Sequence, residues 1–163
     1  MAVTVPMGPE HTECWSAPHE SQNEDLSDPL WLEIKNQRAR VESQTIGSYL
    51  PQALDYDCNG TVSFTKGCYT GQEIVARLHY RGTPKRRLHR AETAAPVVAG
   101  DTLVNADGKT VGSVVNHCLQ DQTHELLIEL IPKAAAEPLA LKGGHGELSH
   151  VTRCHRDKDQ STG

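Results

Sequence analysis

The stretch that decides the fold is residues 62–90, VSFTKGCYTGQEIVARLHYRGTPKRRLHR. Three of its apolar side chains recur at the spacing of one helical face: Ile74, Val75 and Leu78. Gly82 stands where a helix C-cap is expected, and Pro84 prevents the helix from continuing. The pattern therefore predicts a helix over residues 71–81.

The residues before this helix point to a functional thiol. Thr70 and Glu73 have the T-x-x-E spacing of a capping box. Cys68 precedes the predicted helix start and lies two residues after Lys66. Exposed helix amides and a neighbouring ammonium both favour a thiolate, so Cys68 is a candidate reactive thiol, iron ligand or redox-sensitive residue. A cysteine packed as a small buried hydrophobe is the alternative interpretation.

A strip of basic residues covers the helix and the chain after it. Between Glu73 and Glu92 there is no acidic residue, although the chain as a whole carries a net charge of −5. The interval contains six of the sixteen basic residues: Arg77, Arg81, Lys85, Arg86, Arg87 and Arg90. Such a strip is either a solvated surface or a site for an anion, and a polyglutamyl tail, a phosphate or an RNA backbone would each fit.

Upstream of this stretch the pattern mixes a helix, a loop and a short strand. Asp28 followed by Pro29 predicts a helix start, and loosely spaced apolar residues extend the helix over residues 29–42. Pro51 favours a loop or turn over residues 46–54. The β-type composition of residues 61–64 after the Asn-Gly turn predicts a short strand.

Downstream, short strands recur at roughly ten-residue spacing, which favours a small antiparallel barrel or sandwich. Asp107-Gly108 predicts a hairpin between two of them, and Gly112 indicates a bulge or bend. The periodicity of residues 124–131 fits a strand or a helical turn, and its shortness favours a strand. The predicted strands cover residues 85–92, 102–105, 110–117, 124–131 and 139–141. We expect an α+β protein, with an incomplete α/β portion up to residue 82 and an all-β module over residues 83–151.

The two ends of the chain have the composition of disordered segments. Residues 1–28 carry acidic residues, three prolines and no Lys or Arg, so they fit neither a secretory signal nor a transit peptide. Residues 152–163 are polar and are expected to be disordered as well. The sequence has no targeting signal, and its five cysteines cannot all be paired because their number is odd. We therefore expect a cytoplasmic protein with free thiols.

Composition also excludes several classes of function. No apolar run reaches the roughly 18–20 residues that a membrane helix needs. The net charge of −5 argues against a general nucleic-acid binder, so we expect no direct nucleic-acid binding. His and Cys residues lack the spacing of a closed zinc site, and we predict no metal site.

The run of residues 66–73, KGCYTGQE, with Val75-Ala76-Arg77 after it, closely resembles the signature of the YgfZ family of folate-binding proteins. These proteins are related to the aminomethyltransferase of glycine cleavage. Flanking pieces match too: Leu50-Pro51-Gln52, Val62-Ser63-Phe64, Arg81-Gly82 and Lys85-Arg86-Arg87-Leu88. The resemblance covers about residues 30–145, while the family's large N-terminal portion has no counterpart here.

The resemblance implies a fold and a set of site residues. Residues 29–82 would be the remnant of an aminomethyltransferase-like folate-binding domain, and residues 83–151 a small antiparallel β-barrel. Cys68 would be the functional thiol. The residues shaping its surroundings and binding tetrahydrofolate would be Lys66, Tyr69, Gln72, Glu73 and Arg77.

The resemblance also implies a function. The family is linked to assembly or repair of iron–sulfur clusters and, through iron–sulfur enzymes, to tRNA modification. We therefore expect an accessory protein more than an independent enzyme, with iron–sulfur enzymes or cluster-assembly proteins as partners. A second chain would complete the fold. The alternatives are a folate-dependent one-carbon transferase and a non-catalytic interaction module.

Overall fold

The structure is a computed structural model that describes residues 3–8, 11–15, 29–64, 67, 70–144 and 146–155. Its helices and strands are β1 (Val3–Gly8), β2 (His11–Trp15), α1 (Pro29–Lys35), α2 (Gln72–Arg81), β3 (Arg87–Thr93), β4 (Thr102–Asn105), β5 (Thr110–Gln120), β6 (Thr123–Leu130), β7 (Leu139–Leu141) and β8 (Ser149–Arg153). Three short 3-10 helices cover Ser43–Thr45, Pro51–Leu54 and Pro132–Ala136. Neither of the two α-helices in the described part of the chain is long and apolar enough to cross a membrane.

The main sheet has six antiparallel strands in the order β7-β4-β5-β6-β3-β8 and curls into a half-barrel. Together with the helices it confirms the predicted α+β class, while the aminomethyltransferase-like assignment of the first part stays a prediction. The chain before β8 runs beside β7, because Ala140 bridges to Glu147. This pairing brings the two edge strands, β7 and β8, close together and accounts for the curl.

The predicted hairpin at Asp107-Gly108 is confirmed. It joins β4 to β5, with Gly108 in the left-handed region at φ 74°. The predicted irregularity at Gly112 is also confirmed, since the register shifts by one residue beside it. A Cβ on Gly112 would lie 2.1 Å from the Glu129 carbonyl oxygen, so only glycine allows β5 to approach β6 so closely.

Each face of the sheet has its own apolar cluster, because neighbouring residues of a strand point to opposite sides. In β6, Leu126, Ile128 and Leu130 pack inside the curl with Leu103 and Val114. On the other face, Leu127 packs in a second cluster with Leu88, Val115, Ile34 and Leu54. The second cluster therefore fixes α1 and the 3-10 helix Pro51–Leu54 against the back of the sheet.

Helix α1 is shorter than predicted. It ends at Lys35, and Gln37 adopts a left-handed conformation at φ 57°. The chain then runs past β5, where the buried Asn116 side chain accepts from Arg40 N at 2.8 Å and donates to Arg40 O at 3.0 Å. Because this clamp needs extended backbone at Arg40, the helix cannot continue to residue 42.

The predicted strand over residues 61–64 was wrong. The backbone bends there, because Thr61 N donates to the Asn59 side chain at 3.0 Å and Val62 N donates back to Tyr56 O at 2.9 Å. An Asn-Gly pair can close such a local turn as easily as it closes a hairpin. The composition of four residues did not separate the two outcomes.

The chain ends differ in part from expectation. Strands β1 and β2 pair antiparallel, with Val3 opposite Trp15, inside the segment predicted as a disordered leader. Val3, Thr4 and Val5 of β1 and Thr12 and Trp15 of β2 are residue types that favour extended backbone. Strand β8 was not predicted, and it continues to Arg153, beyond the expected start of the tail at residue 152. The rest of the predicted leader and residues 156–163 lie outside the described residues, and the division at residue 82 stays a prediction.

Candidate functional site

Helix α2 confirms the predicted helix within one residue of each bound. Its N-cap is Gly71, at φ 85°, and Gly82 is its C-cap. The predicted Thr70–Glu73 capping box was wrong, because the helix starts one residue too late for Thr70 to be its N-cap. A hydrogen bond of 2.7 Å from the Gln52 amide to Val75 O holds the helix against the 3-10 helix Pro51–Leu54.

The predicted site residues are only partly within the described structure. Cys68, Lys66 and Tyr69 lie outside the described residues. Gln72 is half-buried at the start of α2, whereas Glu73 and Arg77 are exposed. The predicted cluster around the Cys68 thiol therefore stays a prediction, supported by the observed position of the helix that follows it.

The basic strip divides into two halves. Three of its members are engaged with carboxylates of the fold: Arg86 with Glu129 at 2.8 Å, Arg87 with Asp57 at 2.8 Å, and Arg90 with Glu125 at 2.7 Å. The other three, Arg77, Arg81 and Lys85, are exposed and form no ion pair with the described residues. The sequence alone could not separate these halves, because the carboxylates lie on distant elements.

An aromatic cluster lies beside the exposed half of the strip. The rings of Phe64 and His79 stack at a centroid distance of 3.7 Å with an interplanar angle of 14°. Tyr80 meets His79 edge-on at 4.9 Å and remains 70% exposed. The rings therefore join the segment before the signature residues to the end of α2, and they leave a large aromatic face in solvent.

A buried ionic cluster lies at the C-terminal end of the 3-10 helix Pro51–Leu54. Asp55, completely buried, pairs with Arg153 of β8 and lies 3.4 Å from the Arg87 guanidinium. Arg87 also donates to Gln52 O at 3.1 Å, and Arg153 donates to Leu88 O at 2.8 Å. Sequence reasoning missed this cluster, since Asp55 and Arg153 are 98 positions apart.

Burial and the cluster's negative charge act together on two cysteines. Burial, followed by the charge of Asp57, raises the pKa of Cys58 from 9.0 to about 11. Burial, followed by the charge of Asp55, raises the pKa of Cys154 to about 12. Both thiols are therefore protonated at neutral pH, which makes them poor nucleophiles and poor metal ligands.

Ligand atoms of Asp55, Asp57 and Cys58 lie within 4.8 Å of one another, the spacing that a metal ion would need. The Arg87 guanidinium already fills the cationic position between them, 2.8 Å from Asp57 and 3.7 Å from the Cys58 Sγ. We therefore interpret this group as a structural ion cluster. A divalent cation there would have to displace Arg87.

An open cleft of about 710 Å³ lies between α2, the 3-10 helix Pro51–Leu54 and the start of β3. Its walls are mostly apolar, with Leu50, Leu78 and Ile131 among the lining residues. Lys85 adds positive charge, whereas the charge of Arg86 is paired with Glu129 in the same wall. Burial raises the pKa of the lining carboxyl Glu129, while the Arg86 charge opposes the shift. The cleft has the volume and composition of a small-molecule site.

The polar side chains that line the cleft already form hydrogen bonds within the protein. Glu129 Oε1 accepts from Arg86 at 2.8 Å and from the Ser113 hydroxyl at 3.2 Å. The Tyr49 hydroxyl donates to Val114 O at 3.0 Å. The signature residues Gln72, Glu73 and Arg77 do not line this cleft, and Leu78 lines it from α2.

Comparison with known proteins gives a partial match. No protein-family model matches the chain. The chain is 32% identical over 114 residues to the tRNA-modifying protein YgfZ of Aliivibrio fischeri (strain ATCC 700601 / ES114). The aligned residues cover 67% of this chain and 36% of the relative. It is 33% identical over 124 residues to the protein of the same name from Klebsiella pneumoniae (strain 342), covering 73% of this chain and 38% of the relative.

This chain is a partial match to the YgfZ family. A shorter segment of 70 residues is 43% identical to YgfZ of Vibrio atlanticus (strain LGP32). The resemblance based on the signature residues is thereby confirmed, and the chain spans little more than a third of the length of the first two relatives.

The ionic cluster should carry a large share of the stability. Replacing Asp55 with Ala leaves the buried guanidinium groups of Arg87 and Arg153 without their shared carboxylate. We expect a loss of about 3–5 kcal/mol in the free energy of unfolding, measured by urea titration. The control is Arg40→Gln, which removes a half-exposed ion pair with Glu33 and should cost less than about 1 kcal/mol. Equal effects of the two substitutions would contradict the structural role of Asp55.

The raised pKa values predict a pH-dependent order of cysteine modification. At pH 8 a thiol of pKa 11 is only about 0.1% thiolate, so iodoacetamide should react with Cys68 well before Cys58 or Cys154. Since deprotonation increases as pH rises toward the pKa, the rate at Cys58 should climb about tenfold per pH unit between pH 8 and 10. Peptide mass spectrometry measures each site, and a plateau for Cys58 below pH 9 would contradict its environment.

Proposed function

We propose that this chain acts as a YgfZ-like accessory protein in the assembly or repair of iron–sulfur clusters, and that it supports tRNA modification indirectly. The observation that carries the proposal is the signature over residues 66–77, which leads into α2 in a chain that partially matches tRNA-modifying relatives. Its proposed partners are iron–sulfur enzymes or cluster-assembly proteins in the cytoplasm.

Cys68 is the proposed functional thiol. The environments of three other cysteines support this choice, because Cys58 and Cys154 have raised pKa values and Cys118 is buried in the second core cluster. Iron binding and thiol exchange both require a thiolate. Cys68 precedes α2, whose first amides carry partial positive charge, and it follows the ammonium of Lys66 in sequence.

Tetrahydrofolate is the proposed cofactor. It combines a partly reduced pterin ring system that carries N–H donors with an anionic glutamate tail. The cleft beside α2 fits these features, because Leu50 and Leu78 supply apolar walls, Glu129 supplies a carboxylate and Lys85 supplies positive charge. The resemblance also assigns Lys66, Tyr69, Gln72, Glu73 and Arg77 to tetrahydrofolate binding, and Gln72, Glu73 and Arg77 lie on or beside the helix outside the cleft lining. A partner chain would complete the site over the exposed Leu50.

Genetic complementation tests the function. In a strain that lacks its full-length YgfZ, the chain should restore the activity of iron–sulfur enzymes and the level of the tRNA modifications that depend on them. Cys68→Ala should abolish the rescue, whereas Cys58→Ser should preserve it, because serine can keep the hydrogen bond to Asp57. Failure of the wild-type chain to rescue would refute an independent role, and rescue by Cys68→Ala would refute the role of the thiol.

Calorimetric titration tests the cofactor. Tetrahydrofolate should bind with measurable heat, and Lys85→Gln should weaken binding roughly two- to fivefold, since an exposed charge contributes up to about 1 kcal/mol. Lys142→Gln removes an exposed charge that does not line the cleft and should leave the affinity unchanged. No heat at high ligand concentration would remove tetrahydrofolate from the proposal and also exclude the one-carbon transferase alternative.

A further inference from the structure

We propose that the exposed basic residues Arg77, Arg81 and Lys85, with the rings of Phe64, His79 and Tyr80, form a surface that binds unpaired nucleotides of an RNA. We call these six residues the basic–aromatic surface. The choice of RNA over DNA rests on the proposed function, which places this protein near tRNA modification.

The charges of this surface are available to a ligand. Arg77 and Arg81 are one helical turn apart on the solvent face of α2. Lys85 follows four residues after the helix ends, at the border between this surface and the cleft that it also lines. None of the three forms an ion pair with the described residues, in contrast to the neighbouring Arg86 and Arg87. Glu73 is the one acidic side chain of α2, so the exposed face has a net positive charge.

The rings supply what a purely electrostatic anion site lacks. Phe64 and His79 stack on each other, and Tyr80 stands at a steep angle to both, at interplanar angles of 71° and 81°. With 70% of its surface in solvent, Tyr80 contributes little to the core, and its face is open for stacking. Unpaired bases stack on such rings whatever their sequence, while cations beside the rings bind the phosphates.

This combination favours a nucleic acid over the other anions that the basic strip would fit. A free phosphate or a polyglutamyl segment would use the three charges and gain nothing from the rings. A base-paired duplex would present its phosphates but keep its bases stacked inside. The net charge of −5, from which the sequence predicted no direct nucleic-acid binding, opposes binding at long range. The unneutralised charge of this surface revises that expectation to a local, salt-sensitive interaction, without general nucleic-acid affinity.

Fluorescence anisotropy with the full chain tests the proposal. The probe is a labelled 12-nucleotide single-stranded RNA of mixed sequence, compared with the duplex of the same sequence. The single strand should bind more tightly than the duplex. Tyr80→Leu should weaken binding about tenfold by removing a stacking face, whereas Tyr80→Phe keeps the ring and should bind like the wild type. Because Tyr80 is exposed, its variants should unfold at the wild-type urea concentration.

A charge-matched pair of double variants tests the basic residues. Arg77→Gln with Arg81→Gln should reduce the slope of log K against log salt by roughly 1.4, because each single-strand phosphate contact contributes about 0.7. Lys133→Gln with Lys142→Gln changes the net charge equally at exposed positions outside the surface and should leave the slope unchanged. Tyr80→Leu should lower the affinity without altering the slope.

Three results would overturn the proposal: no binding of the single strand, equal binding of the single strand and the duplex, or full affinity in Tyr80→Leu. Competition by polyglutamate, combined with insensitivity to Tyr80, would identify a site for acidic peptides instead. The complementation experiment is independent of these measurements. A chain that rescues the strain but binds no RNA would refute this inference alone, and one that binds RNA without rescue would refute the proposed function alone.

Discussion

The buried carboxylate of Asp55 is the constraint on which the arrangement of the fold depends. Removing a charge from water costs several kcal/mol, so the fold has to bring cations to it. Arg87 comes from β3 and Arg153 from β8, and together they tie the sheet to the residue that ends the 3-10 helix Pro51–Leu54. The same 3-10 helix holds α2 through the bond from Gln52 to Val75. The position of the signature helix is therefore set through the ionic cluster.

The cluster also divides the cysteines by reactivity. Burial disfavours a negative charge at Cys58 and Cys154 and raises the pKa of both thiols, and the carboxylates that neutralise the two guanidinium groups add to this effect. Thiols that lie close to arginine would ordinarily be expected to ionise more readily. Here the arginines are already engaged by Asp55 and Asp57, so their charge does not outweigh burial. Proximity to a cation therefore does not by itself identify a reactive cysteine in this fold.

The sequence predicted those parts of the fold whose causes are local. The apolar spacing around Val75 with Gly82 behind it located α2, and Asp107-Gly108 located the hairpin of β4 and β5. It failed where distant contacts decide the backbone. The length of α1 depends on Asn116 binding the backbone of Arg40, 76 positions away, and β8 is fixed by Arg153. No periodicity within a short window contains such information.

The difference between local patterns and distant contacts also matters for the candidate site. The six basic residues between Glu73 and Glu92 form one run in the sequence, yet the fold gives them two roles. Strand β6 presents Glu125 and Glu129 to Arg90 and Arg86. The two arginine charges are therefore neutralised within the sheet and are not available to a ligand. Within the described part of the chain, no strand presents carboxylates to the residues on and just after α2, and these residues keep their charge in solvent next to an open tyrosine ring. A charge run thus stays available to a ligand only where the tertiary structure leaves it unneutralised, and this is why a chain of net negative charge can still present a cationic surface.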